Sequence, residues 1–331
     1  MMQPCGRLYV DHAATTPVRS EVLAAMLPHL GEHGFNASSL HAEGRAARAA
    51  IDAARTTIAR LLGAKSREIV FTSGGSESDT LAIVGGACAA RRARGGAHVV
   101  TAATEHVAVL AAMDVLRERG FTITVLGVDS EGRIAAEDFD RALRQDTVFA
   151  SLMLANNELG TIHPIADFAR LARAQGVVFH TDAVQAVGRI PLDVDTLGVD
   201  LMTLSAHKCY GPKGVGLLYV RDGAALVPLV VGGPQEAGRR AGTENVAGVA
   251  GFARALDLAF AERPLEAARL ALLRDRLETG LCAAIEDVRI NASGALRLPN
   301  ITSVAFAGID STELAIALDL AGVAVSAGSA C

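Results

Sequence analysis

The chain has 331 residues, half of them apolar, enough to bury a sizeable core in one large domain or two ordinary ones. With 36 acidic against 31 basic residues the formal charge is -5, which argues against direct DNA binding and against docking on an anionic membrane. No apolar run approaches the roughly 18 residues of a membrane span, and the opening MMQPCGRLYV has neither the basic start nor the apolar stretch of a signal peptide.

Short β-branched runs alternate with helical patterns along most of the chain. Strands are predicted at 69–72, 98–102, 122–126, 148–154, 177–181, 201–204 and 215–220, with helices among them at 77–94, 106–119 and 165–175. Continuous apolar strands alternating with helices predict an α/β architecture, a mostly parallel sheet covered on both faces. Beyond about residue 255 the pattern changes to an amphipathic helix near 263–285, short strands near 287–291 and 302–306, and a helix at 311–321. These predict a smaller α+β domain at 256–331, after a large domain at 16–255 and an N-terminal segment at 1–15 that packs with the small domain. The cysteines Cys5, Cys88, Cys209, Cys282 and Cys331 are odd in number and lack metal-type spacing, as expected of a reducing, cytoplasmic setting; no metal site is expected.

In a parallel sheet, ligands bind beyond the carboxyl ends of the strands. Strand 69–72 runs into Ser73-Gly74-Gly75-Ser76-Glu77-Ser78 and then a helix, a turn whose glycines and free N–H groups suit a phosphate. It fits neither the dinucleotide fingerprint nor the P-loop. Strand 177–181 ends at Asp182, a carboxylate that needs a cationic partner in such a place; a protonated pyridine nitrogen would be one. Strand 201–204 is followed by Ser205-Ala206-His207-Lys208, and a lysine desolvated there has the lowered pKa of a Schiff-base former. Each signal is common alone. A phosphate cradle, a ring-nitrogen carboxylate and a lysine at successive strand ends together read as a pyridoxal 5'-phosphate site.

From Tyr9 to Cys331 the chain resembles the cysteine desulfurases of the aminotransferase class V group. The stretches that carry the resemblance include Asp11-His12-Ala13-Ala14-Thr15-Thr16-Pro17, Phe35-Asn36-Ala37-Ser38-Ser39, Thr72 to Ser78 and Thr104-Glu105-His106. They continue with Asn156-Asn157-Glu158-Leu159-Gly160, His180-Thr181-Asp182-Ala183, Ser205 to Lys208, Arg240 to Asn245, and Ser326-Ala327-Gly328-Ser329-Ala330-Cys331. The resemblance implies the pyridoxal-phosphate fold type I and the conversion of L-cysteine to L-alanine, with the sulfur passing to an enzyme cysteine as a persulfide. It implies that Lys208 holds the cofactor and moves the Cα proton, that Asp182 pairs with the ring nitrogen, and that Asn157 and Gln185 bond near the ring hydroxyl. His106 would stack on the ring and relay a proton, while Gly75, Ser76, Ser205 and His207 would hold the phosphate. Thr243 would reach the phosphate of a partner subunit in a homodimer, Asn36 would lie near the substrate carboxylate, and Cys331 would be the nucleophile. An iron–sulfur scaffold or a tRNA-thiolation protein would accept the sulfur.

The chain departs from the family pattern in places. Ser76 stands where threonine is common, and Pro234 and Ala237 replace a glycine and an arginine. Family members continue past the cysteine at position 331, into a segment with an arginine for the substrate carboxylate. On that ground the 331-residue form is expected to bind cofactor and to desulfurate poorly. The competing expectations are a selenocysteine lyase or class V aminotransferase that does without Cys331, and a catalytically impaired scaffold for acceptor proteins.

Overall fold

A computed structural model describes residues 6–31 and 33–328. Strand β1 (Leu8–Tyr9) is followed by β2 (Ile69–Thr72), β3 (His98–Ala102), β4 (Thr122–Leu126), β5 (Thr147–Ser151), β6 (Val178–Asp182), β7 (Leu201–Ser205) and β8 (Gly216–Val220). Strands β2 to β8 form one seven-stranded sheet in the order β2-β8-β7-β6-β5-β3-β4. Only β8 runs against its neighbours, antiparallel to both β2 and β7, so the sheet is mostly parallel, as expected.

The inner strands are mostly apolar and buried because both faces are covered, whereas the edge strand β4 is partly exposed. In β2, Ile69 and Phe71 join one core with Ile51, Phe168 and Phe179, while Val70 joins the opposite core with Ile83, Met113 and Phe149. Alternate side chains thus enter different cores, and a polar residue on such a strand needs a partner there, as His180 has in Ser151 and Thr203. The helix predicted at 77–94 opens at Gly75 and reaches Arg94 through a π turn at Leu81–Gly85. Those predicted at 106–119 and 165–175 are Val107–Glu118 and Ile165–Ala174. Past β5, Leu152 and Leu154 still donate backbone hydrogen bonds to His180 and Asp182, which aligns the chain beyond the two strand ends.

The largest difference from expectation is in the helix predicted at 263–285. It begins at Val246 and runs 39 residues to Ala284. Asn245 caps it by accepting from Gly248 N at 2.9 Å. Its first turns (Val246, Val249, Phe252, Leu256) are buried in the large core, so they read as an apolar run without amphipathic period. Pro264, which reads as a helix start, lies inside the helix. Strands β9 (Val288–Ile290) and β10 (Val304–Phe306) pair antiparallel after it, and helix Ser311–Leu320 follows. β11 (Val323–Ala324) then pairs in parallel with β1, a contact too short to leave a sequence period.

Candidate active site

A cleft opens at the carboxyl ends of β2, β5, β6 and β7, the place the topology favours. After β2, Ser73 N donates to Glu77 Oε2 at 2.8 Å and Thr72 Oγ1 bonds Ser78 Oγ at 2.7 Å, which fixes the turn around Gly74 and Gly75. A Cβ added at Gly75 would stand 3.3 Å from Val184 Cγ2 and 3.7 Å from Ser205 Cβ. The residue therefore needs to be small where the turn meets the ends of β6 and β7. Ser205 is buried, and its Oγ has no hydrogen-bond partner among the described residues. An unsatisfied buried hydroxyl at the edge of a cleft is a donor kept for a ligand.

Lys208 sits at the end of a 3₁₀ turn after β7, its side chain folded onto the N-terminal segment: Nζ donates to Ala13 O at 2.5 Å and Ala14 O at 2.8 Å. The same segment is tied to the turn by Thr16 Oγ1, which donates to His207 O at 2.8 Å, and by Gln185 Nε2, which donates to Ala13 O at 3.0 Å. Burial, together with the charges of Lys208 and Lys213, pushes the His207 imidazole down to about 4, so it is neutral at pH 7. Its Nδ1 lies 3.2 Å from Thr15 Oγ1.

Asp182 closes β6 with Oδ1 accepting from Val184 N at 2.8 Å. Burial raises its pKa, opposed by the Val184 N–H and by the charges of His106 and Lys208. His106 enters from the turn after β3, where Nδ1 accepts from Ala108 N at 3.2 Å and caps the following helix. Asn157 enters from the turn after β5. That turn is built by Asn156, whose Oδ1 accepts from Glu158 N and Leu159 N while Nδ2 donates to Thr104 O.

The structure thus brings Gly75, Ser76, His106, Asn157, Asp182, Gln185, Ser205, His207 and Lys208 to one cleft. Thr243 and Asn36 are exposed and do not line it; Asn36 Oδ1 accepts from Ser38 N within its own turn. Cys331 lies outside the described residues. The cleft also holds Asp79, which the sequence reading passed over. It lies one helical turn beyond Gly75, a spacing that could have marked it. Asp79 is fully buried, its Oδ1 without a hydrogen-bond partner among the described residues and 3.8 Å from His180 Nε2. Behind the cleft, burial also raises Glu105 well above the usual carboxylate range, although Oε1 accepts from Met153 N.

The aminotransferase class-V profile matches residues 8–331. A cysteine desulfurase from Dictyoglomus turgidum is 50% identical over 324 residues, covering 98% of this chain and 82% of that protein. One from Anaeromyxobacter is 48% identical, covering 98% and 80%. This chain belongs to the cysteine desulfurase family.

Solved structures agree. A NifS-like protein superposes with a TM-score of 0.92 at 37% identity, covering 97% of this chain and 87% of that one. The structure described as SspA in complex with cysteine superposes at 0.84 with 36% identity, covering 97% and 89%. The fold of this desulfurase-family chain is the pyridoxal-phosphate fold type I, and its cofactor is pyridoxal phosphate. The residues fit that group. The free Ser205 hydroxyl and the open backbone at Gly75 meet a phosphate, and Asp182 is a buried carboxylate beside a buried lysine, in want of a ring cation.

Proposed function

We propose that this desulfurase-family chain takes sulfur from L-cysteine onto Cys331 and releases L-alanine, with Lys208 as the cofactor-holding base. The observation that carries the reading is the meeting of Lys208 and Asp182 in one cleft with an unspent phosphate donor, Ser205. When bound, pyridoxal phosphate supplies an electron sink at the substrate Cα. Asp182 keeps the sink effective by holding negative charge at the ring nitrogen. Gly75, Ser76, Ser205 and His207 hold the phosphate end, Asn157 and Gln185 orient the ring, and His106 covers its face. Lys208 removes the Cα proton. The Cys331 thiolate attacks the substrate sulfur as the C–S bond breaks. The bonding pair stays on carbon, Cβ gains a proton, and a persulfide remains on Cys331. Asn36, which does not line the cleft of its own chain, would receive the substrate carboxylate only from a second chain or after its turn moves.

The same reading places the protein in the cytoplasm as a homodimer, with an iron–sulfur scaffold or a thiolation protein as sulfur acceptor. It divides the chain into a large cofactor domain at 16–255 and a small domain at 256–331, with residues 1–15 on the small domain; the β1–β11 pair supports that last placement.

The test is alanine release from L-cysteine by the cofactor-loaded chain, beside Cys331→Ala and Lys208→Ala. Alanine that both substitutions abolish establishes the reading. Alanine that survives Cys331→Ala points to a selenocysteine lyase that does without that thiol, and a 2-oxo acid in place of alanine points to an aminotransferase. Bound cofactor without any alanine points to a scaffold.

A further inference from the structure

We infer that a second cavity, walled by Arg189, Arg263 and Tyr210, is a binding site for a small anion of the phosphate or carboxylate class. The cavity measures about 280 Å³, close to the lower end of ligand pockets, roughly 300 Å³, and far beyond a packing defect. It adjoins the strand end that carries the active-site lysine, since Cys209 and Tyr210 form part of its wall.

The charges on its wall do not balance. Glu262 and Arg19 satisfy each other at 2.6 Å, and both oxygens of Glu266 are held by Arg269, at 2.8 and 2.5 Å. Arg19 also donates to Glu21, at 3.0 Å, so the wall carries an excess of one positive charge, and Arg189 and Arg263 lack a direct partner among the described residues although Glu266 acts on Arg189 from a distance. Arg189 is only 7% exposed, yet its side chain makes no hydrogen bond or ion pair with any described residue. Its contact is the face of Tyr210, with the ring centroid 5.6 Å away. Arg263, half-buried, likewise lacks a hydrogen bond or ion pair among the described residues and stands over Phe260 at 5.8 Å. Burying an arginine without a hydrogen-bonded partner is unfavourable. Two guanidinium groups without a direct partner facing one cavity suit an anion, and the planar fork of arginine matches the paired oxygens of phosphate or carboxylate.

The probes are inorganic phosphate and malonate, titrated calorimetrically into the cofactor-loaded protein at constant ionic strength. The cofactor's visible absorbance is followed throughout. Saturable binding at one site per chain is expected, with unchanged absorbance. Arg189→Gln should weaken it at least tenfold and Arg263→Gln less, while the exposed Arg92→Gln leaves it unaltered. The tighter of the two probes names the ligand class. Binding that survives Arg189→Gln, or a response no larger than that to added chloride, overturns the proposal. Loss of cofactor absorbance during the titration also overturns it, because the anion would then be entering the main cleft. If Arg189→Gln does not fold, Arg189→Lys, which keeps the charge and loses the fork, should still bind more weakly than wild type; equal affinity refutes the site. None of these readouts depends on alanine release.

Discussion

His163 is 2% exposed, and neither of its ring nitrogens has a hydrogen-bond partner among the described residues. Burial alone pushes its pKa from 6.5 down to about 4. As pH falls through 6.5 the unfolded chain takes up a proton that the folded chain refuses until about 4, so stability is lost across that window. By pH 5 the loss reaches about 2 kcal/mol. His163→Leu removes the effect: whatever its offset at pH 8, urea denaturation should show the variant gaining about 2 kcal/mol on wild type by pH 5. Asp79 and Asp182 are a different case, two buried carboxyls acting on one another. Burial and the charge of Asp182 push Asp79 well up, while the Val184 N–H, His106 and Lys208 favour charge on Asp182. Asp79 therefore keeps the proton and Asp182 the charge. Asp79→Asn should leave the pH titration of the cofactor absorbance unmoved, whereas Asp182→Asn should shift it and cut turnover roughly 100-fold or more. A clear shift with Asp79→Asn would show that the charge sits on Asp79. Asp182 was legible because it ends a strand. Asp79 was not, because an aspartate early in a helix reads as a capping or dipole residue.

The segment between the sheet and the long helix depends on one buried ion pair. Glu236 receives two bonds from Arg55, at 2.6 and 2.8 Å, and accepts from Phe71 N at 2.9 Å, while Arg55 also covers the Phe71 ring. Glu236 and Ala237 both have positive φ, 47° and 56°, a conformation that disfavours side chains, so the turn relies on these bonds for its shape. Glu236→Ala strands a buried guanidinium and should lower unfolding stability by about 3–5 kcal/mol, read from urea midpoints. Glu236→Gln, which still accepts from Phe71 N, should lose less; equal losses would mean that the charge pairing carries the whole effect. None of this was visible in the sequence, where Arg55 and Glu236 are far apart and each looks like a surface charge. The strands were visible because burial on both faces makes most of them short apolar, β-branched runs. Helix Val246–Ala284 was half visible, since its period emerges only where one side leaves the core.

The same turn bears on how two copies of the molecule could meet. Arg240 Nε donates to Glu77 Oε1 at 2.8 Å, which holds the segment beside Ser76 at the mouth of the cleft. Thr243, a few residues on, is exposed and reaches no part of its own cleft, and Val231 is 78% exposed. A hydroxyl and an apolar side chain left in solvent on the segment that borders the cofactor cleft suit a surface covered by a second copy. If Thr243 serves the partner's cleft, Lys208→Ala and Thr243→Ala damage different sites of one dimer. In a hybrid of the two variants, one cleft has its lysine and receives the intact Thr243 of the other chain, while the second cleft carries both defects. Each variant alone should bind cofactor weakly in all its clefts. The hybrid, isolated with two affinity tags, should regain wild-type affinity in half of them by absorbance titration. If Thr243 acted within its own chain, the hybrid would have one cleft lacking lysine and one lacking threonine, and no cleft would recover. A monomeric mass by light scattering would remove the premise before the hybrid is made. Restored binding in half the clefts can come only from a site built by two chains.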